Sequence, residues 1–140
     1  MVLDTSTLVA AVRSDLGASR RLLVAALERR LTILVSVLLM FEYEAVLTRP
    51  EHLAKARITV EDAQVLLDAV GAIADPVVLA FLWRPTLADP DDDMVLETAV
   101  NGRAAAIVTY NVRDFMRAGQ RFGLEILRPA EAAQRLEATK

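Results

Sequence analysis

Val2-Leu3-Asp4-Thr5-Ser6-Thr7-Leu8-Val9 puts two apolar residues, an acid and three hydroxyl side chains at the head of the chain. An apolar run of this length that stops at a carboxylate reads as a short strand. Thr5, Ser6 and Thr7 can then cap a helix that starts just beyond. The unit is strand, turn, helix, with an acid at the strand's carboxyl end.

Working outward, the alternation continues. Ser19 to Arg30 carries Leu22, Leu23, Ala26, Leu27 and Leu31 at helical spacing, with most of its charges on the other side. Thr32 to Val35 is β-branched and apolar, Ser36 can cap, and Val37 to Leu47 continues as a helix until Arg49-Pro50 stops it. Glu61 to Ala74 has the apolar stripe Val65, Leu66, Ala69, Val70 and Ile73, and Asp75-Pro76 ends it, with a short strand expected over Val77 to Ala80. Arg84 to Asp93 contains Pro85 and Pro90 and reads as a polar loop into a helix from Asp92 to Gly102. A buried strand over Ala105 to Thr109, a short helix over Asn111 to Ala118, a strand over Leu124 to Leu127 and a helix over Pro129 to Ala138 complete the pattern. Strand–helix–strand connections of this kind form right-handed crossovers. The expected fold is an α/β/α sandwich with a mainly parallel sheet of about five strands, and one domain over residues 1–140. In such sheets, function gathers at the carboxyl ends of the strands, where strand order reverses.

Composition narrows the chemistry. With 54% hydrophobic residues in 140, the chain can bury a core. It has no cysteine, which excludes disulfides, thiolate metal sites and cysteine nucleophiles and suits a reducing compartment. An acid at position 4 is unlike a secretory signal, and the longest apolar stretch, residues 33–41, is broken by Ser36. That is far below the roughly 20 residues that span a bilayer, so a soluble, cytoplasmic protein without membrane partners is expected. Net charge is −3, so any contact with nucleic acid needs a local basic patch. Of sixteen basic residues only Lys55 and Lys140 are lysines. Arginine forks suit phosphate, but a GC-rich genome gives the same bias.

The acids carry the chemistry, each with an ordinary reading beside it. Asp4 is a metal ligand or an N-cap. Glu42 sits among Leu38, Leu39, Ala45 and Val46 on its helix, where a solvated face would be more polar, and Glu44 is its rival. Asp89, Asp91, Asp92 and Asp93 crowd a helix start, where the dipole favours acids in any protein, but their mutual repulsion also suits a bound cation. Asp114 follows the strand ending at Thr109, and with Asn111 three residues before it resembles a capping box. His52, the only histidine, lies in a charged segment and reads as a surface residue. Without cysteine or a catalytic histidine, hydrolysis would draw on water activated by a metal held by oxygen ligands, the preference of Mg²⁺ or Mn²⁺.

Four motifs in order, Val2-Leu-Asp4-Thr-Ser6, Val35-Ser36 leading to Phe41-Glu42-Tyr-Glu44-Ala-Val-Leu47-Thr-Arg-Pro50, Asp89-Pro-Asp-Asp92-Asp93, and Val108-Thr109-Tyr-Asn111-Val-Arg-Asp114-Phe115, make the chain resemble the PIN-domain family. The resemblance is to its branch of toxins from toxin–antitoxin systems, and it runs nearly end to end. It implies catalytic acids Asp4, Glu42, Asp92 and Asp114, with Asp4, Asp92, Asp93 and Asp114 as metal ligands for one or two Mg²⁺ or Mn²⁺ ions. Ser6, Thr109 and Asn111 would support them, Ser6 standing where many relatives have asparagine and Asn111 where many have an acid. Arg13, Arg84 and Arg113 lie near the motifs as candidate phosphate contacts. The implied function is a metal-dependent endoribonuclease cleaving single-stranded RNA, paired with a small antitoxin and forming a homodimer. The alternative is a weak or inactive relative that survives as a regulatory interaction module.

Overall fold

A computed structural model describes residues 1–14, 17–80 and 90–138, except for the side chains of 90 and 91. Five strands, each followed by one to three helices, make up these residues. The strands are β1 (Val2–Leu3), β2 (Leu34–Ser36), β3 (Asp75–Val77), β4 (Ala106–Val108) and β5 (Glu125–Leu127). The helices are α1 (Thr5–Arg13), α2 (Ala18–Leu27), α3 (Val37–Leu47), α4 (Pro50–Ala56), α5 (Val60–Ile73), α6 (Pro90–Asn101), α7 (Val112–Phe122) and α8 (Pro129–Ala138).

All the strand pairings are parallel, in the orders β1-β4-β5 and β2-β3. The Leu34 N–H donates to the Met1 carbonyl at 2.9 Å and seats β2 beside β1. The strands therefore follow one another as β3-β2-β1-β4-β5. The chain builds outward from β1 on one side, then returns to build on the other, and this reversal lies between β1 and β4. Helices cover the strands to give three layers, with α6 against β1, β2 and β4, and α7 and α8 against β5. The core runs through Leu3, Leu8, Leu22, Ile33, Leu39, Tyr43, Leu96, Ile107 and Phe115 without a break.

Helix α1 starts at Thr5 itself, with Asp4 and not one of the expected hydroxyls at its N-cap position, and three further boundaries differ from expectation for clear physical reasons. Pro50 does end α3, but it also opens α4 as its first helical residue, where a missing N–H costs nothing. The third strand is Asp75–Val77, not Val77 to Ala80. Its Pro76 pairs in register with Val35, and the position tolerates proline because β3 is an edge strand among the described residues. Helix α6 begins at Pro90, so Asp92 and Asp93 lie inside its first turn and not in a loop. Proline fits the first helical position, and acids just after it complement the helix dipole.

Close packing fixes how α6 lies on the sheet. A Cβ added to Gly102 would meet Val77 Cγ2 at 2.8 Å, the Thr98 carbonyl at 2.9 Å and Leu34 Cδ1 at 3.1 Å, so only glycine allows this approach. One turn earlier, Thr98 Oγ1 and Ser36 Oγ are 2.7 Å apart. Gly102 and Thr98 thus both seat α6 on the β2–β3 pair.

Candidate active site

Asp4 follows β1 directly and is 4% exposed. Its N–H donates to the Val108 carbonyl at 2.9 Å, continuing the β1–β4 ladder past the end of β1. It also occupies the N-cap position of α1, with φ −61° and ψ 151°, but its side chain makes no capping hydrogen bond. The ordinary reading of this acid as a helix cap therefore fails. Its Oδ2 instead accepts from Ser6 Oγ at 2.9 Å and from Thr109 Oγ1 at 2.7 Å. Both hydroxyls fall on the same oxygen, which fixes the plane of the carboxylate and leaves Oδ1 without a hydrogen bond to any described residue.

Thr109 is itself held on all sides. Its N–H donates to the Leu127 carbonyl at 2.9 Å, and its Oγ1 accepts from the Asn111 N–H at 2.9 Å. Thr7 Oγ1 donates to the Val108 carbonyl at 2.9 Å. Beneath Asp4, the Tyr43 hydroxyl donates to the Leu3 carbonyl. Burial, and then the neighbouring Asp4 charge, push the Tyr43 phenol above its ordinary range, so it stays a protonated donor.

The remaining acids come from helices α3, α6 and α7. Helix α3 starts at Ser36, whose Oγ accepts from the Leu39 N–H at 3.2 Å and caps it. It then carries Glu42 half-buried and Glu44 exposed, so burial distinguishes the pair that spacing left open. Helix α6 packs against both α3 and β1 and carries Asp92, half-buried, and Asp93, 2% exposed, in its first turn. Glu97, one turn on from Asp93, is fully buried and was not singled out by the sequence reading. The available signal was an acid within Met94-Val-Leu-Glu97-Thr-Ala-Val, where every neighbour is apolar or small.

Asp114 lies in the first turn of α7 and is exposed. Asn111 is the N-cap of that helix without a side-chain capping bond, so the expected capping box does not form. Of the three arginines, Arg13 and Arg113 are exposed, and Arg84 lies outside the described residues, as does Asp89. Among the described residues, no three His, Asp or Glu side chains converge closely enough to hold an ion as they stand.

The donors offered here are carboxylate and hydroxyl oxygens, the hard set that suits Mg²⁺ or Mn²⁺ and not a soft metal. The free Oδ1 of Asp4 makes that set usable. A cation could take it without displacing either hydroxyl.

A search of curated proteins finds no match for this sequence. A family model described as PIN domain matches residues 1–113, a span that contains β1, Asp4, Glu42, Asp92, Asp93 and Thr109. PIN domains are in general nucleases that act on nucleic acid, typically with a divalent metal. The match covers most of the sequence, and the chain belongs to the PIN-domain family.

Proposed function

We propose that this chain is a metal-dependent endoribonuclease that cleaves single-stranded RNA, and that it serves as the toxin of a toxin–antitoxin pair. The observation that carries the nuclease reading is the state of Asp4. A buried carboxylate at a strand end, unused as a cap and held by two hydroxyls on one oxygen, is arranged to present its other oxygen to a ligand.

Asp4 and Asp92 would hold Mg²⁺ or Mn²⁺ directly, Asp93 and Asp114 would complete the set, and Glu42 would bind directly or through water. Once bound, the ion supplies an activated water and neutralises charge on the phosphate under attack. The residues of the chain provide the orientation. Ser6 and Thr109 keep Asp4 from rotating, Asn111 keeps Thr109 aimed, and Tyr43 fixes the end of β1 beneath them. Such preorganised polar groups act without rearranging during the reaction.

A small antitoxin, a homodimeric assembly, one domain over residues 1–140 and a cytoplasmic setting belong to the same proposal. Their support is the resemblance of the four sequence motifs to the toxin branch of the family and, for the setting, the absence of cysteine. Among the described residues, no helix is long and apolar enough to cross a membrane.

The second reading, an interaction module with weak or no catalysis, is favoured by the exposure of Asp114. One assay separates the two. Purified protein is incubated with single-stranded RNA and Mg²⁺ or Mn²⁺, with EDTA and Asp4→Asn as controls. Cleavage lost in both controls supports the nuclease; cleavage that persists in either refutes the carboxylate–metal mechanism. Intact RNA from antitoxin-free protein favours the interaction module.

A further inference from the structure

An open groove of about 490 Å³ starts beside the candidate active site and leads away from it. One wall is the α1 stripe Ser6, Val9, Ala10 and Arg13, spaced to share a helix face, and the other side is made by Val46 of α3 and His52 of α4. At its near end Ser6 bonds the Asp4 carboxylate. Val46 lies one helical turn beyond Glu42, so both walls begin at candidate catalytic acids. Seven residues at 1.5 Å each put Arg13 about 10 Å along from Ser6.

The far end is basic, in a chain whose net charge is −3. The Arg13 guanidinium donates to His52 Nδ1, a neutral ring nitrogen and no match for its charge. Burial, then the Arg13 charge, with Arg49 and Lys55 adding to it, holds His52 below its ordinary pKa against the opposing pull of Glu51. Neither Arg13, Arg49 nor Lys55 forms an ion pair with a described residue. The groove therefore joins an acidic end that suits a cation to a basic end that suits an anion, over an apolar floor of Val9, Ala10 and Val46.

We infer that this groove seats the single-stranded nucleic acid beyond the cut, and that Arg13 turns from His52 to grip a phosphate flanking the scissile one, with His52, Arg49 and Lys55 around it. The occupant follows from charge complementarity: a chain of phosphates is the ligand that needs cations about 10 Å from a metal-binding acid. This inference rests on the nuclease reading, but its test does not depend on cleavage.

Binding of a mixed-sequence single-stranded RNA is measured by anisotropy in EDTA over a salt series, for wild type, Arg13→Ala, Arg13→Lys and His52→Gln. Arg13 is exposed in the last turn of α1, so its substitution leaves the fold intact. Arg13→Ala is expected to weaken binding severalfold for every RNA sequence and to lower the salt slope by about 0.7, the loss of one phosphate on a single strand. Arg13→Lys is expected to recover part of both, and His52→Gln to weaken binding less than Arg13→Ala. In cleavage assays Arg13→Ala is expected to raise KM severalfold and to change kcat less than twofold. Unchanged affinity and salt slope in Arg13→Ala overturns the assignment, and so does wild-type protein that binds no RNA. Wild type that binds RNA with the expected slope but never cuts it strikes the nuclease reading and leaves the groove standing.

Discussion

Thr109→Val tests whether the Asp4 carboxylate is oriented by its neighbours. Valine keeps the shape of a fully buried residue but removes the hydroxyl that donates to Asp4 Oδ2 at 2.7 Å and accepts from the Asn111 N–H at 2.9 Å. A hydrogen bond to a charged group contributes about 1.5–3 kcal/mol. The orphaned Asn111 amide is only part-buried and regains much of its loss from water, so a total of about 2–3 kcal/mol is expected. Unfolding entropy is about 2.1 cal/mol/K per residue, about 0.3 kcal/mol/K for 140 residues. The melting temperature should therefore fall by about 7–10 °C in EDTA, read by circular dichroism or calorimetry. Thr109→Ser restores the hydroxyl and should recover most of it. Cleavage by Thr109→Val should drop on the order of tenfold to a hundredfold, because a small misplacement of a reacting group costs that much. A melting shift under about 3 °C, or an equal loss in Thr109→Ser, would show that the hydroxyl does not hold Asp4.

Further predictions follow from other contacts. Gly102→Ala forces a methyl against Val77, Leu34 and the Thr98 carbonyl, and should lower stability by about 1–3 kcal/mol in a urea titration. Because the folded-state pKa of Tyr43 is raised, the native protein keeps a proton that the unfolded chain releases. Its contribution is complete below about pH 10 and is lost as pH climbs through the raised value; melting curves between about pH 9 and 11.5 should fall more steeply for wild type than for Tyr43→Phe. Glu97→Gln removes a charge from a fully buried position beside the Asp93 turn and should weaken Mn²⁺ binding severalfold by titration calorimetry; unchanged affinity would separate Glu97 from the metal site.

The sequence made some features readable and hid others for physical reasons. The β1 acid was legible because an apolar pair, a carboxylate and a run of hydroxyls leave few alternatives, but only the folded structure shows that the Asp4 side chain does not cap α1. Asp114 shows the converse. Its capping-box spacing with Asn111 is present in the sequence, and the side-chain bond is absent in the fold. Helix α4 was missed because Pro50 signals both a stop and a start. Glu97 was missed because burial of an acid is decided by what packs over it, and α6 meets β1, β2, β4 and α3 together. The groove ending at Arg13 and His52 joins residues 39 positions apart, a pairing no local pattern announces.

Thr109 reaches Asp4 across 105 positions of sequence, and its own N–H is held by Leu127. A growing polypeptide thus carries Asp4 long before the partner that orients it, which is missing until β4 has paired, and before the seat of that partner, which is missing until β5 has emerged. Because pairings so distant in sequence form late, a nascent or prematurely terminated chain holds an acid without a working centre. For an enzyme that would cut nucleic acid, this order of assembly withholds the working centre until β4 and β5 have both been made and paired.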